Sequence, residues 1–371
     1  MGFQIIRPDT RFDFMGWRRL ALIISLALIL LGLTSLLIKG GPRYGIDFAG
    51  GVIIQIKFES EVDMRHLESL LQQARLQGMS LQTFGDRGDN EYLVRTSAEE
   101  MTTSDVRQRT REALNAEFQE DEYSFQRLEM VGPRVGEELR ENALQALFFA
   151  VLLISIYISG RFEHKWFIAG FMAAGLGLGV YFLKILAVPL VFLILGALLI
   201  SLIFFWYLRL SFALGAVLAL IHDVLITVGI FSLLNKEFDL SIVAALLTII
   251  GYSLNDTIVI YDRIRENMRK KISESLSHTI NISLNQTLSR TLVTSGTTLM
   301  VILSLLILGG GIIHDFAFAL LVGVVVGTYS SIFVASSILL KLRPEIPGEE
   351  EKEEIIDVKT RMAQRAQKKR A

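Results

Sequence analysis

The sequence predicts a polytopic α-helical membrane protein that carries one folded α+β domain outside the bilayer. Three observations predict it. Of 371 residues, 51% are hydrophobic and 20% charged, and the two kinds are segregated along the chain, with a mean hydropathy of +0.46. The apolar runs are long enough to cross a hydrocarbon core of about 30 Å, which takes about 20 helical residues. Residues 40–142, between the first run and the rest, have an ordinary soluble composition with enough apolar positions for a small core.

Residues 1–18 precede the first span and place Arg18 and Arg19 ahead of the run from Leu20 to Ile38. A basic flank before an apolar run also describes a signal peptide, but no small-residue cleavage pattern follows, so 19–39 is predicted to be a retained transmembrane helix. The domain at 40–142 then alternates. A strand is predicted over Gly51 to Phe58, where Val52, Ile54 and Ile56 alternate with Ile53, Gln55 and Lys57. A helix over Val62 to Gln77, strands over Leu81 to Phe84 and Tyr92 to Thr96, a helix over Ser104 to Phe118 and a strand over Ser124 to Val131 complete a β-α-β-β-α-β order, that of ferredoxin-like domains. Ser60 is predicted to stand before the first helix, Gly78 to close it, and Thr102 or Thr103 to cap the second. The histidine of this domain, His66, lies among Arg65, Glu68 and Arg75 on what reads as a solvated face and carries no catalytic constellation.

From residue 143 to 340 the chain reads as a helix bundle, with apolar runs near 143–159, 166–183, 185–206, 212–233, 240–260, 291–308 and 315–340. With the first span these give eight predicted crossings. Alternating sides gathers Arg161, His164, Lys165, Arg209, the Arg263 to Arg290 segment and the tail 341–371 on one face, which the positive-inside rule makes cytoplasmic. Both termini then lie in the cytoplasm and the α+β domain on the periplasmic side. The tail runs acidic through Glu349, Glu350, Glu351, Glu353 and Glu354, then basic through Arg361, Arg365, Lys368, Lys369 and Arg370. A formal net charge of −1 gives no reason to expect nucleic acid, and the absence of cysteine excludes disulfides, thiolate metal sites and thiol catalysis.

Chemistry is expected where ionisable groups interrupt apolar spans. A charge near the centre of a membrane helix costs about 2.5–3.5 kcal/mol on insertion scales and survives where it faces a bundle interior, a partner or water. Three places qualify: His222 and Asp223 within Ala213 to Leu233; Asn255 and Asp256 after Gly251, Tyr252, Ser253 and Leu254; and Arg290 among Gln286, Thr287, Ser289, Thr291 and Thr294. Tyr252 and Asp256 share a helical face, as do Gln286, Arg290 and Thr294. Burial and a nearby guanidinium act in opposite directions on a carboxylate, so a pair of Asp256 and Arg290 that forms and breaks would take up and release a proton. Asp262, Arg263, Arg265 and Glu266 lie where snorkelling to the interface accounts for them. Gly175 with Gly179, and Gly323 with Gly327, are expected to mark close helix packing.

Gly45-Ile46-Asp47-Phe48-Ala49-Gly50-Gly51, Val131-Gly132-Pro133, Ala219-Leu220-Ile221-His222-Asp223, the block from Gly251 to Asn267, and Ser289 to Ser295 resemble the SecF family of protein-export membrane proteins. The resemblance covers nearly the whole chain, and Gly251 to Asn267 is its most specific part. It implies a multi-pass protein of the bacterial inner membrane that works with a SecD-like subunit beside the SecYEG channel, with YajC and YidC as further partners. It further implies use of the proton gradient to draw unfolded secretory polypeptides outward, with no enzyme activity and no cofactor. The family's proton-pathway groups map onto Asp256 and Arg290, with Asp223 a further candidate and Asn255, Tyr252 and His222 as polar support. One departure stands out: such proteins usually have six spans, whereas here Arg161-Phe162-Glu163 and Phe212-Ala213-Leu214-Gly215 flank two additional runs near 166–206.

Two other classes compete. A self-contained RND-type exporter of small molecules or lipids would also use buried aspartates and an outer domain, but it needs two pseudo-symmetric halves where this chain has one. An intramembrane aspartyl protease would need Asp223 and Asp256 to share a proton, and the second aspartate of such enzymes resembles a Gly-x-Gly-Asp turn that is absent here.

Overall fold

The structure, a computed structural model, describes residues 11–344 apart from 75, 77–78, 85–87, 97–101, 164–165 and 186–189. The predicted helix end at Gln77, the stop at Gly78, the basic pair His164 and Lys165 and the charged tail beyond Pro344 lie outside the described residues.

Helix α1 spans Phe14–Lys39 and starts ahead of the expected residue 19, because the Asp13 side chain accepts from the Gly16 amide (3.0 Å). Asn281 and that amide together hold the Asp13 carboxyl below the usual carboxylate range. Gly40 ends the helix in the left-handed conformation (φ 74°), where a missing Cβ removes the strain. A short helix α2, Ile46–Ala49, leads into Gly50 and Gly51, both with positive φ. A side chain at Gly51 would place its Cβ 2.7 Å from the Thr96 carbonyl, so both the backbone angle and the close approach demand glycine.

The outer domain follows as β1 (Gly51–Phe58), α3 (Met64–Gln72), β2 (Ser80–Phe84), β3 (Glu91–Thr96), α4 (Thr103–Leu114) and β4 (Tyr123–Val131). Its strands lie in the order β2-β3-β1-β4 and every neighbouring pair is antiparallel, the ferredoxin-like arrangement. Val52, Ile54, Ile56 and Phe58 of β1 point into a core with Leu67 and Leu71 of α3 and Val106 and Leu114 of α4. Burying each such side chain contributes about 1.5–3 kcal/mol. Gln55, on the opposite face, is buried as well and donates to Glu91 (2.6 Å). The first helix is capped by Asp63 and not by Ser60, since only Asp63 reaches the amides of Arg65 and His66. Those two bonds hold the Asp63 carboxyl below its ordinary range. Thr102 caps the second helix in a capping box with Asp105. His66 of α3 meets Glu117, just past the end of α4, at 2.7 Å on the exposed side, as a solvated face would have it.

The remaining helices are α5 (Pro133–Glu163), α6 (Trp166–Ile185), α7 (Leu190–Tyr207), α8 (Ser211–Leu233), α9 (Leu240–Arg269), α10 (Leu276–Leu308) and α11 (Gly310–Ser330). A π-helical turn over Ser331–Ala335 joins α11 to α12 (Ser336–Leu342) without a break. Among the described residues six helices are long and apolar enough to span a membrane: α1, α5, α8, α9, α10 and the continuous stretch Ile313–Leu342. The additional pair, expected as two further crossings near 166–206, gives shorter apolar helices, Trp166–Phe182 and Phe192–Tyr207.

Helix α8 lies at the centre of the bundle, and α1 runs parallel to it. Ser25 meets His222, Gly32 meets Gly229, and Ser35 meets Ser232, the same sequence offset at each contact. At the middle contact a Cβ on Gly229 would lie 2.9 Å from the Gly32 Cα. We expect Gly229→Leu to lower the thermal unfolding temperature of the purified chain, on the scale of about 1–3 kcal/mol for overpacking. Gly170→Leu, where nothing lies within 4 Å of the new Cβ, should leave it unchanged. Gly323 and Gly327 do mark close packing, against Ile249 and Ser253 of α9, whereas Gly175 and Gly179 face open space.

Candidate functional site

Because α8 is enclosed by α1, α5, α9 and α11, polar groups at its middle cannot reach water and must be satisfied within the bundle. Asp223 is 1% exposed and fully served. Its Oδ1 lies 2.9 Å from His222 Nδ1, and its Oδ2 accepts from Ser253 of α9 (2.5 Å) and Ser330 of α11 (2.9 Å). His222 Nε2 contacts Ser25 Oγ of α1 at 2.9 Å, and Ser25 also reaches the Tyr329 hydroxyl (3.2 Å), which donates to the Ala21 carbonyl (2.6 Å). Asp223 therefore ties four helices together through short polar bonds. Losing one partner of a buried hydrogen bond costs about 1–3 kcal/mol.

Asp256, on α9, differs. It is 3% exposed, but its one hydrogen bond among the described residues comes from Ser295 Oγ of α10, at a long 3.3 Å. Ser295 Oγ also lies 2.8 Å from Thr328 Oγ1 of α11, whose own hydrogen goes to the Val324 carbonyl (2.8 Å). One hydroxyl hydrogen thus has two acceptors. With Asp256 ionised, Ser295 donates to the carboxylate; with Asp256 protonated, Ser295 turns to Thr328 and its oxygen accepts from the acid. Both protonation states can be accommodated without moving a backbone.

Asp256 and Arg290 are not in salt-bridge contact in this structure, although Arg290 lies near enough to act on the carboxyl electrostatically. Among the described residues no ion pair joins them, and Arg290 lies exposed on α10. Asn255 and Gly251 are exposed as well, on the neighbouring face of α9, and Thr297 is exposed farther along α10. Tyr252 lies half-buried one turn from Asp256, and its buried hydroxyl has no hydrogen-bond partner among the described residues. Asp223 and Asp256 bind different hydroxyls and make no hydrogen bond to each other, so they lack the shared proton that aspartyl proteolysis needs.

Sequence reading missed Ser330, Thr328, Tyr329 and Ser25, which complete both carboxylate environments. The signal was a run of four hydroxyl residues, Thr328 to Ser331, inside an apolar span. The π-helical turn follows directly, with Ser336 Oγ donating to the Ser331 carbonyl and Tyr261 to that of Ala335, each at 3.1 Å. Such turns recur at functional sites.

The outer end of the same helices is fastened to the soluble domain. The α8–α9 turn exchanges backbone bonds with the start of the domain, Gly45 N to Phe238 O (2.9 Å) and Phe238 N to Arg43 O (2.7 Å), and Asp47 accepts from the first amide of α9 (3.0 Å). Glu237 of this turn pairs with Arg43 (3.4 Å) and with Arg95 of β3. Burial, with Arg43 adding to it, lowers the proton affinity of Arg95, and Asp239, Asp315 and Asp47 counter that effect. Near the opposite ends, Arg161 pairs with Asp262 (2.8 Å), and Glu266 with Arg263 and Lys270, as groups at an interface would.

Two family models match the chain: "Protein export membrane protein SecD/SecF, C-terminal" over residues 110–177 and 179–345, and "SecD/SecF GG Motif" over 35–62. A protein translocase subunit SecF from Magnetococcus marinus is 42% identical over 92% of this chain and 95% of its own length. Its counterpart from Escherichia coli O157:H7 is 38% identical over 89% and 88%. A crystal structure of SecDF, a translocon-associated membrane protein from a Thermus species, superposes with a TM-score of 0.71 at 33% identity, over 91% of this chain and 40% of that one. The chain therefore spans well under half the length of that structural relative.

Proposed function

We propose that this chain, which belongs to the SecD/SecF family of protein export membrane proteins, couples proton passage at Asp256 to movement of its outer domain, and so helps draw unfolded secretory polypeptides across a bacterial inner membrane. The observation that carries the proposal is the Ser295 hydroxyl, placed to serve either protonation state of a carboxylate buried within the bundle. A carboxylate with that choice can load and unload a proton without disturbing its helix. Asp223, with both oxygens committed, is assigned to hold α1, α8, α9 and α11 in register around it.

The partner follows from Arg290. An exposed guanidinium within a membrane helix is costly facing lipid and is supported when a second protein covers it. Arg290, with Asn255, Gly251 and Thr297, is assigned to the interface with a SecD-like subunit, whose own ionisable groups would complete the proton path. The SecYEG channel, YajC and YidC are proposed as further neighbours, with both termini in the cytoplasm and residues 40–142 in the periplasm. The domain is proposed to hold an emerging chain in one pose and release it in the other.

The protein has no cysteine, so single introduced cysteines report contacts without background. Cysteine at Thr297 is expected to crosslink to a co-expressed SecD-like subunit, whereas cysteine at Phe167 of α6 should crosslink far less. Equal labelling at both positions, or none at Thr297, would remove the assigned interface.

A further inference from the structure

The end of the bundle that carries Arg161 and Asp262 also holds a cavity of about 540 Å³ between the α7–α8 turn and the end of α12. Its floor is apolar and buried, formed by Phe205 and Leu214, with Ser211 beside them. Three cations line it, Arg209, Lys341 and Arg343, and none of the described lining residues is acidic. The cations come from two helix ends more than 130 positions apart in sequence, so the fold and not a local basic run has gathered them.

The backbone adds a second observation. Arg209 (φ 51°) and Arg343 (φ 49°) both adopt the left-handed conformation that disfavours a side chain and suits glycine. The other described non-glycine residues with positive φ are Asn90 and Asn235, for which this region is easy, and Lys271. Glycine would relax both turns beside the cavity, yet arginine occupies each, placing a guanidinium at the cavity where a relaxed turn would have none.

We propose that this cavity binds the phosphate of an anionic phospholipid. Guanidinium groups match phosphate oxygens in a bidentate fork, and Lys341 adds a compact charge. Trp206 and Tyr207, exposed at the end of α7, form an aromatic rim of the kind that sits at headgroup level, and the apolar floor suits the first carbons of the acyl chains. The additional helix α7 thereby acquires a role of its own, since with α12 it builds a lipid site that keeps the extra pair against the six long helices. The proposal needs only that these helix ends lie at a membrane surface, and it stands apart from the export reading.

The test is lipid binding by the purified full-length chain, read as the rise in unfolding temperature on adding phosphatidylglycerol or phosphatidylcholine, and as retained lipid by native mass spectrometry. Phosphatidylglycerol should bind and stabilise, phosphatidylcholine much less. A triple variant, Arg209→Gln with Lys341→Gln and Arg343→Gln, should weaken phosphatidylglycerol binding by about tenfold or more, about 1.4 kcal/mol per decade. A second variant, Arg209→Gly with Arg343→Gly, suits both backbone conformations, so it keeps the two turns and should still lose the lipid. Unchanged binding in both variants, or equal binding of the two lipids, overturns the proposal. Displacement by millimolar inorganic phosphate alone would assign the cavity to a soluble anion. Binding seen only after removal of residues 345–371 would make the acidic tail the occupant; either result overturns the lipid assignment.

Discussion

Asp256→Asn is expected to abolish the gradient-dependent component of export while leaving the chain folded and assembled. Asparagine has nearly the shape of aspartate, and its amide oxygen can still accept from Ser295, so the contact at 3.3 Å survives the substitution. What is lost is the ability to exchange a proton. The measurement is export of a reporter by membrane vesicles containing this chain and a SecD-like subunit, with and without a protonophore. The parent should slow sharply when the gradient collapses, and the variant should already run at the collapsed rate. Asp223→Asn should fail differently, because an amide cannot accept from His222, Ser253 and Ser330 as a carboxylate does. Its expected signature is a loss of about 1–3 kcal/mol of stability. Gradient-dependent export intact in Asp256→Asn would end the proton-coupling proposal.

The second large effect is expected at the outer turn. Glu237→Arg would set a third guanidinium beside Arg43 and Arg95, where one carboxylate now serves both. Arg95 and Glu237 are largely enclosed, their side chains 18% and 13% exposed, so breaking the pair falls toward the cost of a broken buried ion pair, about 3 kcal/mol. The backbone bonds between Phe238 and Arg43 and Gly45 do not depend on those side chains and should persist. We therefore expect an assembled protein whose strand β3 is released from the α8–α9 turn: export falls, and protease sensitivity near β3 rises. Arg95→Glu combined with Glu237→Arg restores opposite charges and should recover a substantial part of the export lost in either single variant. Additive loss in the double variant would show that the two residues do not act as a pair.

Much of this architecture was legible in the pattern of residues, for physical reasons that also mark where legibility ends. The period of two in Val52, Ile54 and Ile56 records burial on one face of a sheet, and β1 is found over the same eight residues, Gly51–Phe58. Helix limits were less legible, because Asp63 and Ser60 are both good caps by type and only the backbone path decides which side chain reaches the free amides. Buried charge was conspicuous at Asp223 and Asp256, since little else interrupts those runs. The division of labour between them was not, because it depends on hydroxyls from α1, α10 and α11 that become neighbours only on folding. Arg290 was legible as a charge within a span, but spacing along α10 gives only its azimuth, not its distance from Asp256 across the α9–α10 contact. The Gly32–Gly229 contact had no repeat within either helix to announce it, as each supplies a single glycine to the crossing.

The entry and exit of the outer domain meet at one place. Gly51 pairs with Val131 at the root of the sheet, a Cβ on Gly50 would lie 2.9 Å from the Pro133 Cα, and one on Gly136 would lie 3.0 Å from the Phe48 carbonyl. A body hinged at this root, once its second tie to the α8–α9 turn gives, rocks instead of translating, and displacement grows with distance from the root. Strand β1 runs eight residues from that point, about 26 Å at about 3.3 Å per residue. A rocking angle of about 10° would therefore sweep its distal tip through about 4.5 Å, longer than the advance of one residue in an extended polypeptide. The stroke of such a lever is greatest at the edge of the sheet farthest from that root.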